Sequence, residues 1–263
     1  MSRMKMSHQI RVAIAGLGAI GLAVAQALAQ GVDGFTLVAI SAKDHGAAKE
    51  RLAAHQIAVP VLPHEELEAR ADLLIECAPA ELLPALVRPF LSKGKSVVVL
   101  SVSALADHLD LVDLARNHGA QIFVPSGALL GLDGVAAAAQ GHLQSVKLVT
   151  RKPPAGFGFA NIPAAQCVFA GSARAAAQKF PANMNVAVAL ALAGLGLDAT
   201  QVEIWADPEV TRNIHSVTVQ SDCATFSCVI ENVPSDNPKT SKITAPSVLA
   251  LLRKMRAPLR IGS

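Results

Sequence analysis

The stretch Val12-Ala13-Ile14-Ala15-Gly16-Leu17-Gly18-Ala19-Ile20-Gly21 decides how the rest of the chain is read. Four apolar residues in a strand-like run lead into three glycines spaced GxGxxG, and an alanine- and leucine-rich helical stretch, residues 19–30, follows at once. A glycine pattern alone is weak. One held between a buried strand and a helix has the context that a dinucleotide's pyrophosphate requires. Gly16 permits the tight turn, Gly18 lets backbone amides approach the phosphates, and Gly21 lets helix and strand pack closely. Ala19 and Ile20 open the helix, whose N-terminus faces the anion. The motif implies a site for NAD or NADP.

Working outward, residues 11–15, 35–41, 57–62, 72–77, 96–100 and 121–124 read as strands, with helical stretches at 19–30, 81–91 and 105–118 among them. Alternating strands and helices imply parallel βαβ units with right-handed crossovers. Strands covered on both faces are nearly all apolar, as Ser96-Val97-Val98-Val99-Leu100 is. The pattern changes after about Ser126. Residues 143–150, 201–206, 214–220 and 225–231 are strand candidates with less helix between them, and helices are expected at 172–179 and 185–195. The fold class is therefore α/β, a Rossmann-type doubly wound parallel sheet followed by an α+β domain with a mixed or antiparallel sheet. The expected division is 1–126 for the dinucleotide-binding domain and 127–242 for a catalytic and dimerisation domain. A C-terminal segment, 243–263, carries a last helix near 247–255 that returns to the first domain.

Composition narrows the function classes. Of 263 residues, 52% are hydrophobic and 16% charged, which excludes a disordered or coiled-coil chain. Twenty-three basic against 20 acidic residues leave +3, too small a surplus to argue for nucleic acid or an anionic membrane. Aromatics are 3% with no tyrosine, so base-stacking platforms are not expected. Cys77, Cys167, Cys223 and Cys228 form no CxxC pair and read as buried thiols in a reducing, cytoplasmic compartment, not as a disulfide frame or metal site. Arg3, Lys5 and Arg11 before the apolar stretch 12–29 outline a secretory signal peptide, but Gly16, Gly18, Gly21 and Gln26 interrupt it, and the dinucleotide motif accounts for the glycines. The other apolar run, 186–197, is far shorter than the ~20 residues that cross a bilayer.

Several further segments carry chemistry. The second strand ends in Ser41-Ala42-Lys43-Asp44, where a ribose-binding carboxylate is usual. No acid stands at the strand end to repel a 2′-phosphate, and Lys43 can pair with one. Ala78 and Pro79 follow the fourth strand, and Ser101 and Ser103 follow the fifth. Loops at the carboxyl ends of parallel strands line the ligand crevice, so these four are candidate walls for the nicotinamide end. Pro79 and Ser103 also suit helix starts. Pro125-Ser126-Gly127-Ala128 closes the sixth strand. Phe180-Pro181-Ala182-Asn183-Met184-Asn185 enters the most apolar helix, where an asparagine either caps the helix or bonds a ligand carboxamide. Asp207-Pro208 leads to Asn213-Ile214-His215, and His215 shares a strand face with Val217 and Val219. Such a histidine is either a satisfied core residue or an acid/base group.

Taken in order, the glycine motif, the PxNxN pattern at 181–185, Asp207-Pro208 with Asn213-Ile214-His215, and Asn237-Pro238-Lys239-Thr240-Ser241 resemble the L-aspartate dehydrogenase family over nearly the whole chain. That resemblance implies oxidation of L-aspartate with NAD or NADP to iminoaspartate, which hydrolyses to oxaloacetate and ammonia and can feed NAD biosynthesis. It implies His215 as the catalytic histidine, Ala128 and Asn185 as cofactor contacts, and a homodimer. Ser41 departs from the aspartate that members often carry there, so both cofactors stay open. A dicarboxylate needs cationic or amide donors, and Asn213, Lys239, Thr240, Ser241, Arg151 and Arg174 are candidates. The alternatives are a related two-domain reductase, such as dihydrodipicolinate reductase or homoserine dehydrogenase, or a non-catalytic dinucleotide sensor. The histidine-rich HHxxKxDxPSGT-like motif of the first reductase is missing.

Overall fold

A computed structural model describes residues 9–157, 162–181, 183–235 and 240–262. The chain forms two compact units that interleave in sequence. The first comprises the chain up to Ser101, with Leu109–Pro125 and Val248–Arg260, and the second comprises Val102–His108 and Ser126–Ser247.

The first unit runs β1 (Ile10–Ala15), α1 (Ala19–Gln30), β2 (Phe35–Ser41), α2 (His45–Ala54), α3 (Leu67–Arg70), β3 (Leu73–Glu76), α4 (Leu83–Leu91), β4 (Ser96–Val99), α5 (Asp110–His118) and β5 (Ile122–Phe123). Its five strands are all parallel, in the order β2-β1-β3-β4-β5. β1 lies inside the sheet, between β2 and β3, and Val12, Ala13 and Ile14 are wholly buried. That is why the decisive strand is apolar on both faces. The chain leaves β1 for β2 on one side and later returns to β3 on the other, so the switch point lies between β1 and β3, where Ala15 pairs with Glu76.

Two expectations need correction in this unit. Residues 57–62 make only an isolated bridge, Ile40 to Val61, and do not form a strand. Pro60 has no N–H to donate and Pro63 follows directly, so pairing stops after Ile40 N to Pro60 O and Leu62 N to Ile40 O. The helix expected at 105–118 is a 3₁₀ turn, Val102–Ala106, and then α5. It breaks because the two pieces pack in different units.

The second unit contains α6 (Leu132–Ala138), β6 (Leu143–Lys152), β7 (Gln166–Ser172), α7 (Ala173–Lys179), α8 (Asn185–Ala193), β8 (Gln201–Ala206), β9 (Asn213–Ser221) and β10 (Thr225–Asn232). The sheet is mixed, in the order β10-β9-β6-β8-β7, with β6 and β8 parallel and the other pairs antiparallel. β7 is an unanticipated edge strand. Its small and polar residues are mostly exposed, and a bulge at Cys167/Phe169 breaks any alternation. Along β6 every second residue from Val146 to Lys152 is buried. The alanines of α7 and α8 supply small side chains that let these helices pack closely, and Val188 and Leu190 add larger buried ones. A final helix, α9 (Thr244–Arg256), buries Val248 and Leu252 completely.

Candidate active site

The glycine turn is held from both sides. Gly16 N donates to Ser41 O at 2.7 Å, and Cys77 N donates to Ala15 O at 2.7 Å. Gly16 has φ of +97°, and a Cβ there would stand 2.4 Å from Cys77 O. A Cβ on Gly21 would stand 2.0 Å from Gly16 O, whereas one on Gly18 would meet nothing within 4 Å. The turn is thus crowded towards the protein and open at Gly18. No side chain caps α1 and no acid stands in its first turn, so the amides around Ala19 and Ile20 remain for an anion. These features fit a dinucleotide pyrophosphate.

Around the strand ends, Ser41 is buried, and Asp44 Oδ1 accepts from Ala47 N at 3.0 Å as the cap of α2. Asp44 is occupied by that role, while the exposed Lys43 makes no hydrogen bond or ion pair among the described residues. Sequence reasoning missed Arg51 on α2, which donates to Leu17 O inside the glycine turn at 2.8 Å. It also missed Glu76. This carboxylate is 0% exposed and accepts from Ala78 N at 2.9 Å, Ser101 N at 2.9 Å and Leu100 N at 3.2 Å. Ser101 Oγ stands 3.0 Å from Glu76 Oε1 and 3.1 Å from Ala78 O, and its one proton serves one of them at a time. Burial pushes the Glu76 carboxyl up, and the hydrogen bonds from Ser101, Ala78 and Leu100 pull it down. Glu76 therefore ties together the loops that hold Ala78 and Ser101, at the switch point. Pro79, exposed, begins the 3₁₀ turn Ala80–Leu82. The signal in sequence was a lone carboxylate closing the apolar run Leu73-Leu74-Ile75.

In the second unit, Asn185 Oδ1 accepts from Ser103 N at 2.9 Å, and Ser103 Oγ donates to Pro181 O at 2.7 Å. The PxNxN segment thereby fixes the 3₁₀ turn. Ala128 O accepts from Asn232 Nδ2 at 3.1 Å.

His215 lies on the inward face of β9, 3% exposed, directly opposite Thr150. Its Nδ1 and Thr150 Oγ1 are 3.0 Å apart, and Nε2 has no hydrogen bond among the described residues. Burial, and then the charge of Lys152, push the imidazole down to about 3, so it is neutral near pH 7. One step further along the strands stands a polar row. Continuing the register sets Lys152 beside Asn213, and Asn213 pairs with Asn232. This row lines a cavity of about 300 Å³ together with Asn183, Arg212 and Ser241. Lys152 is 7% exposed, donates to Asn183 Oδ1 at 3.3 Å, and burial lowers its pKa to about 8.

Of the carboxylate-binding candidates, Asn213 and Ser241 reach the cavity. Thr240 instead bonds Ser235, and Lys239 lies outside the described residues. Arg151 points to the other face, pairing with Asp207 at 3.0 Å and stacking 4.9 Å from the Trp205 ring centre. Arg174 is bound to Asp198 at 2.6 and 2.9 Å. Asp207 also accepts from Glu209 N, so the Asp-Pro motif shapes the turn that delivers Arg212 and Asn213.

Residues 133–255 match the family model "Aspartate dehydrogenase, C-terminal", and residues 16–125 match "Homoserine dehydrogenase, NAD binding domain". L-aspartate dehydrogenase 3 of Bordetella bronchiseptica is 51% identical, with 99% of this chain and 100% of that protein covered. L-aspartate dehydrogenase of Bradyrhizobium diazoefficiens is 52% identical over 98% of this chain and 95% of that one. The crystal structure of aspartate dehydrogenase from Thermotoga maritima superposes with a TM-score of 0.77 at 26% identity, covering 97% of this chain and 100% of that one. With the nucleotide-binding turn and the polar cavity both in place, the chain belongs to the aspartate dehydrogenase family.

Proposed function

We propose that the protein oxidises L-aspartate with NAD or NADP through the imine to oxaloacetate and ammonia, and catalyses the reverse reaction. The observation that carries this reading is the cavity. Its described lining brings two cations, three asparagines and two hydroxyls together and no carboxylate, which suits a small dicarboxylate. Asn213, Ser241 and Arg212 are the donors assigned to it, with Lys239 and Thr240 retained from the same motif. The cofactor, when bound, accepts hydride from Cα. Gly16, Gly18, Ala19, Ile20 and Gly21 hold its pyrophosphate, Ser41 and Lys43 its adenosine ribose, and Ala78, Pro79, Ser101 and Ser103 its nicotinamide end. Ala128 and Asn185 keep the cofactor-contact role that the family resemblance implies. His215, neutral, accepts the proton of the water that attacks the imine.

A panel of amino and hydroxy acids with NAD and NADP, read by absorbance of the reduced nicotinamide, tests the reading. L-Aspartate is expected to give the highest kcat/KM. Turnover of another acid with none of L-aspartate overturns it. On the cofactor side, Lys43→Ala is expected to raise KM for NADP about ten- to a hundredfold and to leave KM for NAD nearly unchanged, since a charge-assisted bond to phosphate is worth about 1.5–3 kcal/mol. Equal changes for both cofactors would mean that Lys43 stays in solvent.

The protein is further proposed to act in the cytoplasm as a homodimer. Among the described residues no helix is long and apolar enough to cross a membrane. The sheet face opposite His215 carries the row Val149–Ser216–Val229, with Val229 59% exposed, which supports burial against a second copy.

A further inference from the structure

Two of the side chains lining the cavity are cationic, Lys152 and Arg212. Of the described lining side chains, only the lysine can lose a proton within an enzyme's working range. Arginine stays charged, and amides and alcohols do not titrate there. His215 stands one inward position deeper on the sheet, about 7 Å back along the strands, and does not line the cavity. Among the described residues, a proton leaving a molecule held in the cavity therefore meets Lys152 first.

We propose that Lys152 is a catalytic residue: its amine takes a proton from the α-ammonium group of the amino-acid substrate before hydride leaves Cα. This rests on the amino-acid dehydrogenase reading of the same cavity. The chemistry requires such a group. An ammonium nitrogen has no lone pair, so a hydride cannot depart from the neighbouring carbon until one N–H bond has broken. Lys152 Nζ forms the new N–H bond and becomes an ammonium. The freed lone pair then forms the C=N bond as hydride passes from Cα to the nicotinamide. Substrate carbon is oxidised, cofactor is reduced, and the proton on Lys152 is returned to the nitrogen that departs as ammonia. His215 serves the later step, in which water adds to the imine.

The placement of Lys152 supports this assignment. It is the last inward residue of β6, following Val146, Leu148 and Thr150, which are all wholly buried. A hydrophobic residue would satisfy that position at less cost, because burial disfavours the ammonium form. The same burial lowers the pKa of Lys152 to about 8, so a fraction of the amine is neutral near pH 7 and half of it at about pH 8. Among the described residues, the groups around it include neutral His215 and Asn213 on β9, exposed Arg212 in the preceding turn, and Asn183 before α8. Asp207 donates its amide to Lys152 O, but its carboxylate is engaged by Arg151.

The experiment begins with wild-type protein and L-aspartate, which tests the reading itself; no turnover there ends that reading. Lys152→Arg and Lys152→Met are then compared with it. Both are expected to lose about 10²–10⁴-fold in kcat, with NADH affinity and thermal stability retained. Wild-type kcat/KM is expected to rise with pH around a midpoint of about 8. In the variants this limb disappears, and the rate instead climbs about tenfold per pH unit toward the substrate's own amine titration. Added methylamine should restore part of the rate to Lys152→Ala. If Lys152→Arg keeps kcat within about threefold and the limb persists, or if Lys152→Met raises only KM, the lysine is a carboxylate anchor and the proposal is overturned.

Discussion

Gly16→Ala is expected to weaken NADH binding by about a hundredfold or more, because an error of about 1 Å in a binding constellation is worth that much. Two independent effects act at this position. A φ of +97° is strained for any residue with a Cβ, and that Cβ would lie 2.4 Å from Cys77 O and 2.6 Å from Cys77 C. Both clashing atoms are backbone, so no rotamer change relieves them. The turn cannot slide either, since Ser41 O and the end of β3 grip it from both sides. Relief requires moving the β1–α1 turn away from the strand ends, which turns its amides off the pyrophosphate. Gly18→Ala is the control. Its Cβ meets nothing, and φ is −76°, so the melting temperature should hold while affinity falls because the methyl group occupies space meant for a phosphate. Fluorescence titration of NADH with thermal melting reads both. Wild-type affinity in Gly16→Ala would show that the turn does not cradle the cofactor.

That turn was legible because all of its information is local. A buried strand, three glycines and a helix start lie within ten residues, and each has one physical reading. The parallel sheet was legible for a similar reason, as strands covered on both faces are runs of valine, leucine and isoleucine. The failures fall at edges. Residues 57–62 have strand-like composition, but Pro60 removes the donor that a ladder needs. Gln166–Ser172 is a strand without an apolar face, since at a sheet edge it buries little.

The cavity was less legible, and Lys152 shows why. The sequence reading ends its strand at Thr150, two residues short, so the inward alternation Leu148, Thr150, Lys152 is cut before the lysine. Arg151, its neighbour, is an equally good candidate by composition but points to the opposite face and an aspartate. Period 2 separates the two once the strand is extended. The polar row itself depends on the register of β6 against the β9–β10 hairpin, which lies far along the chain, and no local pattern encodes it.

His215→Ala is expected to lower turnover about 10²–10⁴-fold while leaving NADH affinity nearly intact. The truncation also leaves Thr150 Oγ1 buried without its partner, a loss of about 1–3 kcal/mol in stability. Activity and stability must therefore be separated, and His215→Asn does so. Its amide can satisfy Thr150 in place of Nδ1, so the melting temperature should recover, but it cannot carry a proton, so turnover should not. A core histidine with no chemical role would regain both. The acid side of the stability curve provides a further check. The imidazole titrates at about 3 in the folded protein against 6.5 when free, so the unfolded chain takes up this proton first. The contribution of His215 is fully present above pH 6.5 and is lost as pH falls towards about 3. His215→Asn should flatten the decline of stability across that window. An unchanged acid limb would mean that the imidazole is not buried neutral beside Lys152. Near-normal turnover per folded molecule in His215→Asn would remove the residue from the mechanism and leave Lys152 as the proton carrier of the cavity.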